Sequence, residues 1–257
     1  MSDTVSVERQ DALAIVRFDR GGQANAMSFD MMQDLTRAAD RLQDEPDLAV
    51  IVLTGAPRIF SGGMDLKADA WDRLEGMSVE QRRRLASRGP RLARAWCGLE
   101  PITIAAIEGP CFAGGVALAA FCDFRVCAAG SRFAAPEVAI GLNMAWHSVP
   151  RLIRLIGLQP TRRLLLRGDS WTAREAEALG FIDVVADDGA VMDAAMTMAR
   201  AMASRPAVAM QLVKRSIEIA AHAGDAQISA PDSDLQLINW QSQVFADARA
   251  ALKARKR

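Results

Sequence analysis

Hydrophobic and polar positions along this chain fall into blocks that predict strands and helices in turn. Short β-branched runs without internal alternation predict strands buried on both faces, and the clearest are 13–18, 49–53 and 102–107. Between the first two, apolar residues recur at helical spacing behind Ser28, a predicted N-cap. A strand, a helix and a strand in this order predict two parallel strands joined by a crossover. Shorter strands are predicted at 124–128, 132–134 and 181–185.

The stretch 107–126, IEGPCFAGGVALAAFCDFRV, follows the third of these strands and combines two signals. Residues 116–122 are apolar on every side, which predicts a helix inside the protein. Gly114 and Gly115 open that helix, and glycines there let backbone N–H groups approach a ligand closely. The helix dipole adds partial positive charge that suits a developing oxyanion. The alternative is that both glycines serve only close packing, and the stretch alone leaves both interpretations open.

A second glycine-bearing turn, FSGGMDLK at 60–67, also follows directly after a predicted strand. Residues 81–96 then predict a helix, and Pro90 is expected to kink or interrupt it. This helix is dense in arginine, which is typical of a solvated face; the functional alternative is a cationic rim for a polyphosphate ligand. The arginines are Arg82, Arg83, Arg84, Arg88, Arg91 and Arg94.

The second half of the chain is predicted to be mainly helical. A capping-box pattern, TARE at 172–175, starts one helix. Further on the chain is rich in Ala and Met, Pro206 breaks the helical pattern, and 223–234 is predicted to be a loop. These features predict a strand–helix core over residues 1–190 and a helical C-terminal region over residues 191–257.

Composition narrows the classes of function. The 257 residues carry 31 basic and 31 acidic side chains, so the formal net charge is zero and no electrostatic footprint for nucleic acid or membrane is expected. No apolar run approaches the roughly 20 residues that a membrane span needs, and a soluble, cytoplasmic protein is expected. The four cysteines lack metal-ligand spacing and are predicted to be buried, reduced thiols: Cys97, Cys111, Cys122 and Cys127.

With these turns placed, the chain resembles the crotonase (enoyl-CoA hydratase/isomerase) superfamily over nearly its whole length. Five motifs in register carry the resemblance: DRGGQANAMS, FSGGMDLK, IEGPCFAGG with CDFRV, APEVAIGL, and WTAREAEALGFIDVV. The resemblance implies an α/β fold, a spiral of ββα units with a helical C-terminal trimerisation region. It also implies homotrimers or dimers of trimers, with coenzyme A present as part of an acyl-CoA substrate and no separate cofactor.

The resemblance also assigns roles to individual residues. The backbone N–H groups of Met64, after Gly63, and of Gly114, before Gly115, are expected to hold the thioester oxygen. Two donors on one oxygen stabilise the enolate that forms when the neighbouring carbon loses a proton. Glu137, in the Pro-Glu motif, is the expected acid/base. The positions that match the coenzyme A site are Ala24, Ala26, Asp65, Leu66 and Lys67.

The chain departs from the hydratase pattern at one position. Hydratases of this family carry two glutamates around a catalytic water; here Ala117 stands at the first position and only Glu137 is retained. Hydration needs two carboxylates, whereas moving a double bond from the 3- to the 2-position needs a single base. The pattern is similar to that of 3,2-enoyl-CoA isomerases, and an apolar setting would raise the pKa of Glu137 toward neutrality. Isomerase is therefore favoured over hydratase.

Several alternatives remain open at this point. A hydratase-like enzyme of fatty-acid or aromatic-acid degradation, or a weakly catalytic acyl-CoA-binding homologue, is the competing function. Glu137 alone is also typical of a surface helix start. His147 is either a replacement acid/base or a packing residue, and Trp146 shapes either the acyl pocket or a subunit contact. RNA binding through the arginine-rich helix is a third class, which the zero net charge disfavours.

Overall fold

The computed structural model describes residues 4–254, which form two β-sheets surrounded by helices. The main sheet has the strand order β1-β2-β3-β4-β6-β9 and the smaller sheet the order β5-β7-β8. The strands are β1 Val5–Gln10, β2 Leu13–Phe18, β3 Val50–Thr54, β4 Ile102–Ile107, β5 Pro110–Phe112, β6 Phe124–Ala128, β7 Arg132–Ala134, β8 Ser170–Thr172 and β9 Val184–Ala186.

Helices cover both faces of the main sheet and make up most of the C-terminal part. The α-helices are α1 Phe29–Gln43, α2 Val79–Ala86, α3 Arg88–Cys97, α4 Gly114–Ala120, α5 Ser148–Ile156, α6 Leu158–Arg162, α7 Ala173–Ala178, α8 Val191–Ala203, α9 Ala207–His222, α10 Asp225–Ile228, α11 Asp232–Trp240 and α12 Gln243–Ala254. Single 3₁₀ turns lie at Gln23–Asn25, Asp69–Trp71, Leu74–Gly76 and Glu137–Ile140, and a π turn at Arg163–Arg167.

The predicted α/β class is confirmed by the main sheet. Strands β2, β3, β4, β6 and β9 run parallel to one another. Between β2 and β3 the chain crosses over through α1, which begins at Ser28 because the Ser28 hydroxyl accepts the N–H of Met31 at 3.2 Å. The sequence patterns missed β1, which pairs antiparallel with β2 at the sheet edge. Its side chains are mostly exposed, so it lacks a buried apolar run.

Two predicted boundaries are wrong, whereas the expected interruption of the arginine-rich helix is confirmed. This segment is two helices, α2 and α3, which meet at Ser87, and Pro90 lies in the first turn of α3, where no intrahelical N–H bond is lost. The predicted loop at 223–234 contains α10 and the start of α11. Of the strand predicted at 181–185, residues 181 and 182 close the end of α7 by donating to the carbonyl of Ala176. Residues 255–257 lie outside the described part.

The main sheet separates two apolar cores. On one face the sheet packs against α1, α3 and α4, and α4 is buried along its whole length, as its apolar sequence predicts. On the other face α8 contributes Val191, Ala195, Met196 and Ala199 to a second core. The boundary at residue 190 stays a prediction, but α8 packs directly on the strands. No helix within residues 4–254 is both long and apolar enough to cross a membrane.

Three of the cysteines are fully buried and Cys97 is half-buried, and all four are free thiols. Burial raises the pKa of Cys97 to about 11, so the thiol form is strongly favoured at neutral pH. The three buried free thiols agree with the prediction of buried, reduced cysteines, whereas Cys97 is less buried than predicted.

The smaller sheet brings the residues that follow three neighbouring extended segments to one edge. Ser61 pairs in parallel with Cys111 of β5, and β5 pairs in parallel with β7. Since the carboxyl ends of parallel strands meet at one edge, the residues that follow these strands are brought together. Those residues are the turn at 63–64, the turn at 113–114, and Glu137.

Candidate active site

A cavity of about 120 Å³ lies where these three turns meet. Five residues predicted to belong to the site line it: Met64, Leu66, Gly114, Glu137 and Trp146. The remaining lining residues are Gly62, Ala113, Ala117, Pro136, Ile140, Leu142, Asn143, Met144, Ala145 and Gln236. Glu137 is the ionisable side chain among them, so the cavity is apolar apart from a few convergent polar groups. Such a composition is typical of a small-molecule site.

The backbone N–H of Met64 points away from Met27, the residue with which Met64 forms a parallel β-bridge. Met27 donates to the carbonyl of Gly63 at 2.7 Å and accepts from the N–H of Asp65 at 2.9 Å. In an extended segment successive N–H groups point to opposite sides, so the Met64 N–H faces away from Met27. Within residues 4–254 this N–H has no acceptor. It is therefore available to a ligand in the cavity that Met64 lines.

The N–H of Gly114 is free for a different reason. Gly114 is the first residue of α4, and the first N–H groups of a helix have no intrahelical acceptor. Ala113 precedes it with φ 52° and ψ −120°, a strained conformation for a residue with a side chain. The Ala113 N–H is tied to the carbonyl of Ala134 at 2.8 Å, which holds the turn in place. No acceptor for the Gly114 N–H lies in the described part of the chain.

The two turns are in direct contact at Gly63. A Cβ atom built on Gly63 would lie 2.6 Å from the Cβ of Ala113 and 3.3 Å from the backbone nitrogen of Gly114. Gly63 also has φ +92°, which favours glycine. The contact requires glycine at position 63 and brings two unpaired N–H groups to the wall of one cavity.

Glu137 is a buried carboxyl group without a partner. The residue is 9% exposed, and its Oε2 atom has no hydrogen-bond partner within residues 4–254. Burial raises the pKa of Glu137 to about 7, against the smaller lowering effect of its own backbone N–H. A carboxyl group with this pKa exchanges protons readily at neutral pH, as a general acid/base must.

Ala117 and Trp146 line the same cavity as Glu137. Ala117 is buried in α4 and its methyl group lines the cavity, so no second carboxylate is supplied from this helix. Trp146, with φ 63°, lays its indole between two helices. A Cβ on Gly114 would lie 2.7 Å from its six-membered ring, and one on Gly89 would lie 2.0 Å from its Nε1. Trp146 thus fills space between α3 and α4 within one subunit, and its expected role in the acyl pocket stays a prediction.

Several predicted site residues lie beside the cavity rather than on its wall, and two of them brace the Met64 turn. The carbonyl of Ala24 accepts the N–H of Gly62 at 2.8 Å. Asp65 pairs with Arg20 at 2.6 Å and accepts the N–H of Lys67 at 2.9 Å, while the Ala26 carbonyl accepts from the same arginine. Their expected contacts with coenzyme A stay predictions.

Gly115 serves close packing, which is one of the two roles that the sequence left open for the glycine pair. A Cβ at Gly115 would lie 3.0 Å from both the Cβ and the carbonyl oxygen of Ser61. This glycine therefore serves close contact between α4 and the preceding turn, whereas Gly114 presents its N–H to the cavity. Close packing also requires glycine at position 114, where a Cβ would lie 2.7 Å from the ring of Trp146. The expected contact of the Gly114 N–H with a ligand stays a prediction.

His147 does not line the cavity of Glu137. Its Nε2 lies 3.1 Å from Nη1 of Arg94 and its backbone N–H donates to Asp232 at 2.8 Å. The ring lines a neighbouring cavity together with Cys97, and burial lowers its pKa. This placement favours the packing interpretation over a replacement acid/base.

The sequence patterns did not single out three polar residues that build the site. Asn25 is buried and donates to the carbonyls of Phe18 and Phe60 at 3.0 and 2.8 Å. The Ser61 hydroxyl accepts the N–H of Gly63 at 3.1 Å, which fixes the turn before Met64. Gln236, from α11, reaches the cavity from a region distant in sequence. Asn25 falls inside the family motif, whereas Gln236 carries no local signal.

The arginine-rich segment is partly neutralised within the chain. Arg83 pairs with Asp234 at 2.9 Å, Arg88 pairs with Asp30 at 3.0 Å, and Arg82 donates to the carbonyls of Glu75 and Met77. These contacts favour the interpretation of a structured, solvated face. Within residues 4–254 no group of three His, Cys, Asp or Glu side chains is arranged to hold a metal ion.

Comparison with known proteins agrees with this geometry. The sequence matches the enoyl-CoA hydratase/isomerase family over residues 8–250. Enoyl-CoA hydratase EchA19 of Mycobacterium tuberculosis is 36% identical over 211 residues, which cover 82% of this chain and 79% of that protein. The short-chain-enoyl-CoA hydratase of Clostridium acetobutylicum is 26% identical over 216 residues, 84% of this chain and 81% of that protein. The chain belongs to the enoyl-CoA hydratase/isomerase family, within the crotonase superfamily.

The solved structures support the same fold. An enoyl-CoA hydratase/isomerase from Xanthobacter autotrophicus Py2 superposes with a TM-score of 0.89 at 23% identity, covering 99% of this chain and 94% of that one. At this identity the likeness concerns the fold alone. It confirms the crotonase-type α/β architecture that the motifs predict.

Proposed function

We propose that this protein moves the double bond of a 3-enoyl-CoA to the 2-position, with Glu137 as the acid/base. The observation that carries the proposal is the arrangement in one cavity of two free N–H groups and a single buried carboxyl group. Coenzyme A takes part as the carrier of the acyl thioester.

The two N–H groups supply the electrostatic part of catalysis. When the carbon next to the thioester loses a proton, negative charge develops on the thioester oxygen. The N–H groups of Met64 and Gly114 can both donate to that oxygen, in a cavity from which bulk water is largely excluded. Preorganised donors of this kind stabilise the dienolate more than the starting thioester, because they bind the charge that develops.

Glu137 supplies the proton transfer. As a carboxylate it removes a proton from C2 of the 3-enoyl thioester, and the electrons of that bond move into the dienolate. The protonated Glu137 then returns the proton to C4, which leaves the double bond between C2 and C3. Because the pKa of Glu137 is raised to about 7, we expect kcat/KM to fall below that pH as the base becomes protonated.

Hydration of a 2-enoyl-CoA is the second candidate, and the names of the relatives favour it. The two relatives described above are named as hydratases. Hydration requires a water molecule held for attack at C3, which is commonly the work of two carboxylates. Ala117 leaves that task to Glu137 and to neutral groups of the cavity, so we expect hydration to be slower than isomerisation.

The expected homotrimer remains part of the proposal. Helix α9 exposes a series of large apolar side chains, each more than half exposed, which an isolated subunit would leave in water. They are Val208, Leu212, Val213, Ile217 and Ile219. The mass of the protein in solution, measured by sedimentation or light scattering, tests whether these residues are covered by other subunits.

The experiment compares purified wild-type protein with Glu137→Gln on a 3-enoyl-CoA and on a 2-enoyl-CoA. Glu100→Gln, a change of the same chemistry at an exposed position, is the matched control. Turnover of the 3-enoyl substrate that is lost in Glu137→Gln and kept in Glu100→Gln would support the proposal. Hydration of the 2-enoyl substrate without isomerisation would replace it by the second candidate. Binding without turnover of either would overturn both.

A further inference from the structure

Helix α11 lies against the catalytic cavity and is fixed there at both ends. At its beginning Asp232 accepts the backbone N–H of His147 at 2.8 Å. Near its end the side chain of Asn239 donates to the side chain of Asn143, which itself lines the cavity. Gln236 is one turn away from each of these contacts and on the same helix face. Its side chain is therefore held toward the cavity rather than toward solvent.

The side-chain amide oxygen of Gln236 is buried and unpaired within residues 4–254. The residue is 6% exposed, and its Oε1 atom accepts no hydrogen bond from residues 4–254. The side-chain nitrogen makes no hydrogen bond to this part of the chain either. Asn25, another buried amide, shows the usual condition, since both of its amide hydrogens and its oxygen are used. Buried polar groups are normally satisfied, so an exception that faces a cavity indicates a partner that the chain does not supply.

The chemistry of the cavity limits what this partner is. An amide offers one acceptor and two donors, which complements a hydroxyl group or a carbonyl oxygen. No lysine, arginine or histidine lines the cavity, whereas Glu137 does, so a carboxylate would be buried without a counter-charge. The partner is therefore an uncharged oxygen function. Because the cavity measures about 120 Å³, this oxygen lies within a few bonds of the reacting carbons.

We infer that Gln236 selects acyl groups that carry a neutral hydrogen-bonding oxygen, a hydroxyl or a keto group, near the reacting double bond. The inference rests on the proposed function for the identity of the ligand as an acyl-CoA thioester. Gln236 acts as a specificity residue, because it binds a part of the acyl group that does not react. An unsubstituted alkyl chain leaves the Gln236 amide unpaired and is the poorer substrate.

The test uses enoyl-CoA thioesters of equal chain length, either unsubstituted or with a hydroxyl or a keto group at C4, C5 or C6. For each, kcat/KM is measured with the wild-type protein, Gln236→Leu and Gln236→Met. Gln241→Leu, the same change at the exposed end of α11, is the matched control. Affinity for the corresponding saturated thioesters, which cannot react, is measured by calorimetry in parallel.

We expect the wild-type protein to prefer at least one oxygenated thioester by about tenfold, the value of a hydrogen bond made only to that substrate. Gln236→Leu and Gln236→Met should remove this preference, and Gln241→Leu should keep it. Loss of preference with folding intact, judged by circular dichroism, locates the recognition in the amide. If neither apolar variant folds, the substrate preference of the wild-type protein still decides the matter.

Equal or better turnover of every unsubstituted thioester by the wild-type protein would overturn the inference, and Gln236 would then hold a water molecule or serve the structure alone. That result would leave the proposed function standing. The converse is also distinguishable: if no thioester is turned over, but the saturated oxygenated analogues bind more tightly through Gln236, the proposed function fails while the selection by Gln236 stands.

Discussion

Two carboxyl groups of this protein are largely shielded from solvent, and they differ in their hydrogen-bond partners. At the junction of β4, β6 and α9, Oδ2 of Asp123 accepts the N–H and hydroxyl of Thr103 at 2.7 and 2.9 Å. The ammonium group of the buried Lys214 lies 2.6 Å from the same oxygen and also donates to the carbonyl of Pro101. In the candidate active-site cavity, Oε2 of Glu137 has no partner within residues 4–254.

The difference separates a structural carboxylate from a reactive one. Oδ2 of Asp123 accepts three hydrogen bonds from other residues and is therefore engaged within the fold. An unpaired carboxyl group in an apolar cavity is costly to the fold, yet burial raises the pKa of Glu137 to about 7, so it changes protonation state near neutral pH. The pairing of Asp123 is that of a structural residue, whereas the isolation of Glu137 suits a proton shuttle.

The first prediction concerns the removal of the ionisable carboxyl group of Glu137. We expect Glu137→Gln to lower kcat by roughly 10³-fold, because the variant retains the shape of the side chain and loses its proton-transfer function. The measurement is steady-state turnover of a 3-enoyl-CoA. Asp123→Asn, assayed below its unfolding temperature, should keep kcat within a small factor of the wild type. Equal losses in the two variants would contradict the distinction.

The second prediction concerns the removal of the Asp123 carboxylate. We expect Asp123→Ala to lower the free energy of unfolding by about 3–5 kcal/mol, because Lys214 is left as a buried charge without its partner. Urea unfolding measures this loss. The double variant Asp123→Ala with Lys214→Met should recover part of it, since it removes the stranded charge. A single variant as stable as the wild type would show that the pair contributes little.

Glu137 should also couple the stability of the fold to pH. The pKa of Glu137 is raised from 4.5 to about 7 in the folded state, so the folded protein binds the proton more tightly than the unfolded chain. The stability that this proton confers is fully present below pH 4.5 and is lost as the pH rises through 7. Above that pH the buried charge costs on the order of 3 kcal/mol, and Glu137→Gln should remove this cost.

Comparing the unfolding free energies of wild type and Glu137→Gln from pH 5 to pH 8.5 tests the sign. The advantage of the variant should grow as the pH rises through 7. An advantage that shrinks over this range would mean that Glu137 is stabilised as a carboxylate in the folded protein.

A further variant adds a second carboxylate to the cavity of Glu137. We expect Ala117→Glu to raise the rate of 2-enoyl-CoA hydration by at least about tenfold, because a second group becomes available to hold and activate water. The control is Ala117→Gln, which has the same size but no basic carboxylate. Hydration assays at saturating substrate measure the effect. Equal rates in both variants would assign the change to altered packing instead.

The smallest expected effect concerns His147. Because its ring contacts Arg94 and lies outside the cavity of Glu137, we expect His147→Asn to change kcat/KM by less than about threefold. A loss comparable to that of Glu137→Gln would show that this histidine takes part in proton transfer after all.

Much of the fold was predictable because its signals are local. The all-apolar runs of β3 and β4 mark strands buried on both faces, and the Ser28 cap marks the start of α1. The edge strand β1 was not predicted because its apolar and polar residues alternate only weakly and its side chains face solvent. The helices within 223–240 escaped because their stability comes from contacts such as Arg154 with Asp225, which are distant in sequence.

The α/β class, the two glycine turns and the identity of the residues at the predicted site positions, including the alanine at 117, follow from the sequence alone. These depend on short motifs and on the local conformational preferences of glycine, proline and β-branched residues. Tertiary structure alone decided that Gly114 presents an N–H while Gly115 packs against Ser61, and that Gln236 reaches the cavity. It also decided that Oε2 of Glu137 has no hydrogen-bond partner within residues 4–254. Such properties depend on which distant groups surround a side chain, and no local pattern encodes that set of neighbours.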